Sequence, residues 1–246
     1  MIKGIELDDG KRVKLEDFDK IEYDLPKSIF ETIKPYNNTI YNFNSYSIGD
    51  INNCLRRTYW DRVEGHYEKL SDLIRSAFGK SVHAFFLDKF DVKEKKVKLE
   101  FQIGEENIII VGKFDAYDFE TKTLIDLKTV NDATKNYLPK IKDIYQLQYF
   151  WTLVDKTLPA MKIEKLQIVY VDRNGNHKVV TIYKENRLEE LKNRSKILHL
   201  ALKNRIPPHE EETYYCNYCP FNQKCDLNKL GIKNKNYVNR EVEIIV

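Results

Sequence analysis

The chain has 246 residues, of which 42% are hydrophobic and 32% charged, enough for one or two domains with a buried core and too balanced for wholesale disorder. With 41 Lys and Arg against 38 Asp and Glu, the net charge of +3 excludes a uniformly basic nucleic-acid surface and leaves a local basic groove open. The longest aliphatic run, Ile108–Val111, is far too short to span a membrane, and Met1–Asp9 lacks the apolar segment of a signal peptide. The expectation is a soluble, cytoplasmic protein with no membrane partner. Abundant Lys, Ile, Asn and Tyr suggest an A+T-rich genome.

In chain order, Ile5–Leu15 reads as a short hairpin turning at Asp8–Lys11, and Lys34–Asn44, rich in Asn and Tyr, as a loop. Asp50–Glu64 is a predicted helix with Arg56, Arg57 and Arg62 exposed. Ser71 is a candidate N-cap for a helix from Asp72 to Phe90, with Ile74, Phe78, Val82, Phe85 and Phe86 at helical spacing. Three predicted strands follow, Lys93–Gln102, Asn107–Ala116 and Thr123–Val130, the last two joined by a turn at Asp118–Lys122. A helix is expected over Pro139–Asp155, with Ile144, Leu147, Trp151 and Val154 on one face. Leu166–Asp172 and His177–Tyr183 form a second hairpin about Asn174-Gly175-Asn176. The last helix, Asn186–Arg205, must end before Pro207-Pro208. Tyr237–Val246 alternates like a strand. This order suggests an α/β core, one sheet flanked by helices.

Cys216-x2-Cys219-x5-Cys225 clusters near the end, whereas Cys54 stands alone far upstream. In a long chain without a secretion signal, four such cysteines read as metal or cluster ligands rather than disulfides. To share one site, the cysteine-rich end must fold back towards Cys54.

The stretch Gly112-Lys113-Phe114-Asp115 and then Asp126-Leu127-Lys128-Thr129 carries the chemistry. Residues two apart on a strand share a face, so Asp126 and Lys128 project together, roughly 6–7 Å apart. A turn centred between Glu120 and Thr121 sets Asp115 opposite Asp126, with Cβ atoms about 4.5–5.5 Å apart. Two carboxylates so placed repel unless a cation lies between them, and hard divalent cations prefer such oxygens. Lys128 adds a positive group suited to a phosphate or to a water. The plain alternative is the solvated face of a hairpin. For His83, among Val82, Phe85, Phe86 and Leu87, it is a satisfied core histidine. For Gln146 it is an exposed helix position. Gly79, one turn before His83, leaves room for close backbone approach.

Taken in order, these residues resemble the RecB-like branch of the PD-(D/E)XK nucleases, and within it the fourth family of CRISPR-associated proteins, iron–sulfur exonucleases. The resemblance rests on Ser47-x6-Cys54-x2-Arg57-x-Tyr59-Trp60, Gly79-x3-His83, Gly112-x2-Asp115, Asp126-x-Lys128-Thr129, Gln146-Leu147, and Pro207-Pro208 before Cys-x2-Cys-Pro-x4-Cys. The sequence departs in Asp126, where many relatives carry Glu, and in Phe150, where Tyr is expected. The resemblance implies a restriction-endonuclease-like core sheet flanked by helices, with a C-terminal iron–sulfur segment. It divides the chain into an extension (1–45), a nuclease core (46–206) and a cluster-binding segment with tail (207–246).

It further implies that His83, Asp115, Asp126 and the Leu127 carbonyl hold Mn²⁺ or Mg²⁺, that Lys128 acts on the water and the phosphate, and that Gln146 positions Lys128 or DNA. Cys54, Cys216, Cys219 and Cys225 would hold a [4Fe–4S] cluster. A structural Zn²⁺ is the alternative, but zinc sites pair close cysteines and Cys54 has no such partner. The implied substrate is single-stranded DNA ends, trimmed 5′ to 3′ before integration into a CRISPR array, with integrase proteins as partners. Arg56, Arg57 and Lys113 are candidate groove residues, and Tyr59 and Trp60 candidate stacking platforms. Rival readings are a viral or mobile-element nuclease, a non-catalytic DNA-binding subunit of the same fold, and a zinc-stabilised binding module.

Overall fold

The computed structural model describes residues 2–20, 33, 43–209, 211, 216 and 218–225. The expected strand at Tyr237–Val246 lies outside them, as does nearly all of the expected loop at Lys34–Asn44. Strands β1 (Ile2–Glu6) and β2 (Arg12–Lys14) form the first hairpin, with β1 beginning earlier than expected. The other edge of β1 pairs in parallel with β4 (His66–Lys69), giving a small sheet of order β2-β1-β4.

The main sheet has six strands and is mixed. Strand β5 (Val92–Ile103) pairs along nearly the whole of β6 (Glu106–Asp118). The opposite edge of β6 is shared: short β3 (Ser45–Ser47) pairs with it at Ile109–Val111, and β7 (Thr123–Thr129) at Ala116–Asp118. Then come β8 (Lys165–Val171), parallel to β7, and β9 (His177–Ile182), antiparallel to β8. The predicted strands lie within a few residues of these. The turn before β7 is held by Asp118, whose Oδ1 accepts the Glu120 N–H at 2.9 Å.

The expected helix over Asp50–Glu64 is two helices, α1 (Ile48–Asn52) and α2 (Leu55–Val63). Ser47 and Asp50 form a reciprocal capping box that starts α1 before Asp50. Arg194 ends it, its guanidinium donating to the Ile51 and Asn53 carbonyls at 2.8 Å each. The resulting break sets Cys54 at the N-cap of α2. Arg62 is not exposed: it bonds Asp50 and the Ser45 carbonyl, and its guanidinium lies 4.7 Å from the Tyr46 ring centre.

Helix α3 (Leu70–Leu87) starts directly after β4, so Lys69 and not Ser71 occupies the N-cap position, and it ends before Phe90. Its buried residues are Leu73 and Leu87, while the predicted apolar positions Ile74, Phe78, Phe85 and Phe86 face solvent. Helix α4 (Ile141–Thr157) crosses over from β7 to the parallel β8, as such a connection requires. Ile144, Leu147 and Val154 are buried as their spacing predicts, and Trp151 packs at the core's margin. Gly112 lets α4 close on β6: a Cβ there would sit 3.0 Å from Leu153 and 3.1 Å from Phe150. Helix α5 (Leu188–Asn204) stops at Arg205, a left-handed residue (φ 57°), before Pro207.

Alternation divides the sheet's two faces. Leu124, Leu166, Ile168 and Tyr170 join the large core under α4 and α5. Leu127 and Ala116 join a small cluster with Leu87 of α3 on the other face.

Candidate active site

The register of β6 and β7 brings Asp115 opposite Asp126, as the turn placement predicts, but the ladder stops one pair earlier, at Ala116 and Ile125. Beyond that pair the strands fork. The Leu127 N–H donates to Asp115 Oδ2 at 2.7 Å, a side chain standing where a neighbouring strand's carbonyl would otherwise accept. The fork therefore holds Asp115 in place without a strand between the two acids.

Helix α3 brings His83 to the fork. Gly79, one turn earlier, lies against β7, where a Cβ would come within 3.1 Å of Thr129 Oγ1. His83 is partly exposed, with Nδ1 at 3.7 Å from Asp115 Oδ1, so it lies beside the acid and not in the core. From the other face, α4 supplies Gln146, whose Oε1 accepts from Lys128 Nζ at 3.0 Å. Lys128 also donates to Asp126 Oδ1 at 3.0 Å. Its ammonium lies 2.8 Å from Oδ2 as well, but without hydrogen-bond geometry. Asp126 Oδ2 is thus a buried carboxylate oxygen with positive charge beside it and no donor bonded to it, in a side chain 2% exposed.

Burial pushes the Asp126 carboxyl well above the usual carboxylate range; Lys128 pulls against this, and the charge of Asp115 adds to it. Burial also works against the Lys128 ammonium, but Asp126, Asp143 and Asp115 together outweigh it and hold its pKa above the ordinary value. Among the described residues, no three His, Cys, Asp or Glu side chains close on one point as a metal ion requires. Lys128 and the Leu127 N–H engage the acids instead. A divalent ion fits the donor chemistry all the same, because Asp126 Oδ2 is a hard, buried carboxylate oxygen with only the Lys128 ammonium beside it.

Two acids beside the fork escape the sequence reading. Asp143 accepts from the Tyr170 hydroxyl at 2.8 Å and contributes to the field on Lys128; it precedes Gln146 by three residues, a helical-neighbour spacing that could have found it. Glu94 falls opposite Asp115 by the β5–β6 register and takes a left-handed backbone (φ 48°). It accepts from Lys113 at 2.6 Å, and that contact holds its carboxyl below the usual range.

The expected DNA-contacting residues are placed differently. Lys113 is exposed beside the fork but paired with Glu94. Arg56 bonds the carbonyls of Pro208 at 3.0 Å and Lys224 at 2.9 Å, fastening the chain's later segment to α2. Tyr59 is 3% exposed, and Trp60 packs on the core with the Lys224 ammonium 4.0 Å from its ring centre. Neither ring is a free stacking platform. Packing takes both, because α2 lies between α5 and the cysteine-bearing segment.

Cys54, Cys216, Cys219 and Cys225 line one cavity of about 670 Å³, together with Arg57 and Trp60. Cys216, Cys219 and Cys225 thus reach the same cavity as Cys54, but among the described residues no three of these side chains close on one point as a metal ion requires. Burial pushes the Cys54 thiol up. The Cys219 N–H donates to the Cys216 carbonyl at 3.2 Å and the Cys225 N–H to that of Asn222 at 3.1 Å, tight turns that hold the trio on one wall. Among the described residues, no helix is long and apolar enough to cross a membrane.

No curated protein sequence matches the chain significantly. Its fold is similar to that of the protein SSO0001, with a TM-score of 0.62 at 17% identity, over 84% of this chain and 98% of that one. A candidate exonuclease from Eubacterium rectale aligns over 89% of this chain and 97% of its own, with a TM-score of 0.47 and 12% identity. A phage-related exonuclease from Haemophilus somnus 129PT aligns over 79% and 94%, with a TM-score of 0.35 and 14% identity. Members of the PD-(D/E)XK nuclease superfamily use Mg²⁺ or Mn²⁺. Residues 49–226 match that superfamily, so both the forked hairpin and the cysteine segment fall within the match, and the chain belongs to the PD-(D/E)XK nuclease superfamily.

Proposed function

We propose that the protein is a metal-dependent DNA exonuclease that trims single-stranded ends from 5′ to 3′, working in the cytoplasm on DNA destined for a CRISPR array beside integrase proteins. The observation that carries the nuclease reading is the fork: a buried Asp126 oxygen without a donor, Asp115 across from it, His83 on one side, and Lys128 held by Gln146 on the other. The single-strand polarity and the CRISPR setting rest on the sequence resemblance.

In this reading His83, Asp115, Asp126 and the Leu127 carbonyl hold Mn²⁺ or Mg²⁺. The ion supplies Lewis acidity towards a phosphodiester and makes water a better nucleophile at neutral pH. Lys128, kept protonated by three acids, offsets charge developing on the phosphate oxygens. Gln146 fixes the Lys128 rotamer by accepting one of its three hydrogens, and α4's rigid seat on β6 fixes Gln146 in turn. Cys54, Cys216, Cys219 and Cys225 hold a [4Fe–4S] cluster, which ties segment 207–246 to α2 and contributes to folding. The core spans 46–206, with 1–45 as an extension.

The test joins metal analysis to digestion. Anaerobically purified protein should carry iron and sulfide at about four each per chain. It should degrade 5′-labelled linear single strands in Mn²⁺, be inert in chelator, and spare closed single-stranded circles. Equal cutting of circles would make it an endonuclease. One zinc and no iron would replace the cluster with a structural zinc site.

A further inference from the structure

Helix α3 is at odds with its own composition. A helix this apolar is normally covered, yet Phe78 is 51%, Phe85 77% and Phe86 50% exposed, with Ile74 beside them at 45%. Ile74, Phe78 and Phe85 recur at spacings of four and seven, so they form one stripe along the helix. Phe86 follows His83 by three residues and is therefore its neighbour on the helix surface, which carries the stripe round to the fork. Phe85 and Phe86 meet edge to face, ring centres 5.5 Å apart, so the two rings hold each other upright.

The surroundings of this stripe are basic. Lys89 follows Phe86 by three residues, just past the end of the helix. Lys96 lies on β5 opposite Lys113, so it projects from the sheet face away from the main core. Both are exposed, and neither has a carboxylate partner among the described residues, whereas Lys93, Lys98 and Lys113 are paired with Asp88, Glu100 and Glu94. Unpaired ammonium groups around exposed aromatic rings are the two components by which proteins hold single strands: phosphates on the cations, base faces on the rings. A second protein copy would meet the rings equally well but would leave the two ammonium groups unpaired, and a duplex would hide its base faces.

We infer that the exposed face of α3, Phe78, Phe85 and Phe86 with Lys89 and Lys96 at its flank, is a binding platform for single-stranded DNA that delivers the strand to the β6–β7 fork. This deepens the nuclease reading above and rests on it for the direction of delivery. It replaces Tyr59 and Trp60, which are packed, with rings that are free to stack.

The test separates binding from cutting. Affinity for a fluorescein-labelled oligothymidine is measured by anisotropy in chelator, where no strand is cut, for the full chain and for Phe85→Ala/Phe86→Ala, Phe78→Ala and Phe85→Trp. The double variant should bind at least about tenfold more weakly and Phe78→Ala several-fold more weakly, while Phe85→Trp binds as the parent does. Circular dichroism and melting temperature should be unchanged. Lys89→Ala/Lys96→Ala should weaken binding at low salt and flatten its salt dependence. Unchanged affinity in the double variant, or no binding by the parent, overturns the platform. So does a change of sedimentation from dimer to monomer in the double variant with DNA affinity intact, which would make α3 a self-association face. Ring-dependent binding by a parent that cuts nothing in Mn²⁺ would uphold the platform and sink the nuclease reading; active protein with ring-independent binding does the reverse.

Discussion

Helices α3 and α4 are nearly equal in length, flank the same sheet from opposite faces, and each sends one polar side chain to the same fork. They differ in what lies beneath them. Helix α4 buries Ile144, Leu147, Leu153 and Val154 in the main core, and Gly112 lets it press directly on β6. Helix α3 buries only two residues, Leu73 with Ile5 and Ile33, and Leu87 in a small cluster with Ala116 and Leu127. The side chain on the well-seated helix, Gln146, makes a 3.0 Å bond to Lys128. The one on the exposed helix, His83, stands 3.7 Å from Asp115. The charges of the fork are thus held from the well-seated face, while the other helix keeps its apolar stripe exposed.

The largest expected effect tests the rigid face. Lys128→Ala leaves Asp126 and Asp115 without their cation and should slow cleavage of end-labelled DNA by about a hundredfold or more with the fold retained. Gln146→Ala should lose less, since it frees the Lys128 rotamer without removing the charge. Wild-type rates in Lys128→Ala would break the assignment.

Stability measurements sharpen the contrast between the helices. Leu147, 0% exposed on α4, should cost about 2–5 kcal/mol on replacement by Ala in urea unfolding. Ile74→Ala on α3 should change stability by no more than about 0.5 kcal/mol, because its side chain already faces water. Similar losses at both positions would mean that α3 is covered in solution.

A further effect concerns the anchor of α3. The helix grows directly out of β4, and His66 of β4 is held by Asp61 of α2 and by Glu68, at 2.6 and 2.8 Å. The hydrogen bond to Asp61, then that to Glu68, raises the His66 pKa from 6.5 to about 9. A folded-state pKa above the unfolded one means that the stabilisation is full below pH 6.5 and is lost as pH rises through about 9. Stability should fall over that window by on the order of 2 kcal/mol. His66→Gln should flatten that part of the pH profile, and an unflattened profile would remove His66 from the anchor.

Much of this was legible beforehand, for local reasons. The strands from Lys93 to Val130, the Asn174-Gly175-Asn176 hairpin and the buried stripe of α4 follow from alternation, turn residues and helical spacing, which act between near neighbours. The register that sets Asp115 against Asp126 follows from counting outward from one short turn, as does the pairing of Asp126 with Lys128. The sequence by itself therefore determined the order of elements from Lys93 to Arg205, the α/β class of the fold and the pairing of the acids with Lys128, but not the short strands β3 and β4 or the split of the helix before Cys54.

Other features depended on residues far apart in the chain. The break before Cys54 exists because Arg194, more than a hundred positions later, caps the carbonyls of Ile51 and Asn53. Arg62, Tyr59 and Trp60 became interior because Tyr46, Asp50 and the segment bearing Lys224 close over them. The apolar stripe of α3 met the opposite fate. Helical spacing says that Ile74, Phe78, Phe85 and Phe86 share a side, but not whether anything packs there, and the sheet's second face offers α3 too small a cluster to cover them. Only the tertiary structure decided which apolar side chains are core and which are surface, because burial depends on the partner an element meets and periodicity records only the element itself.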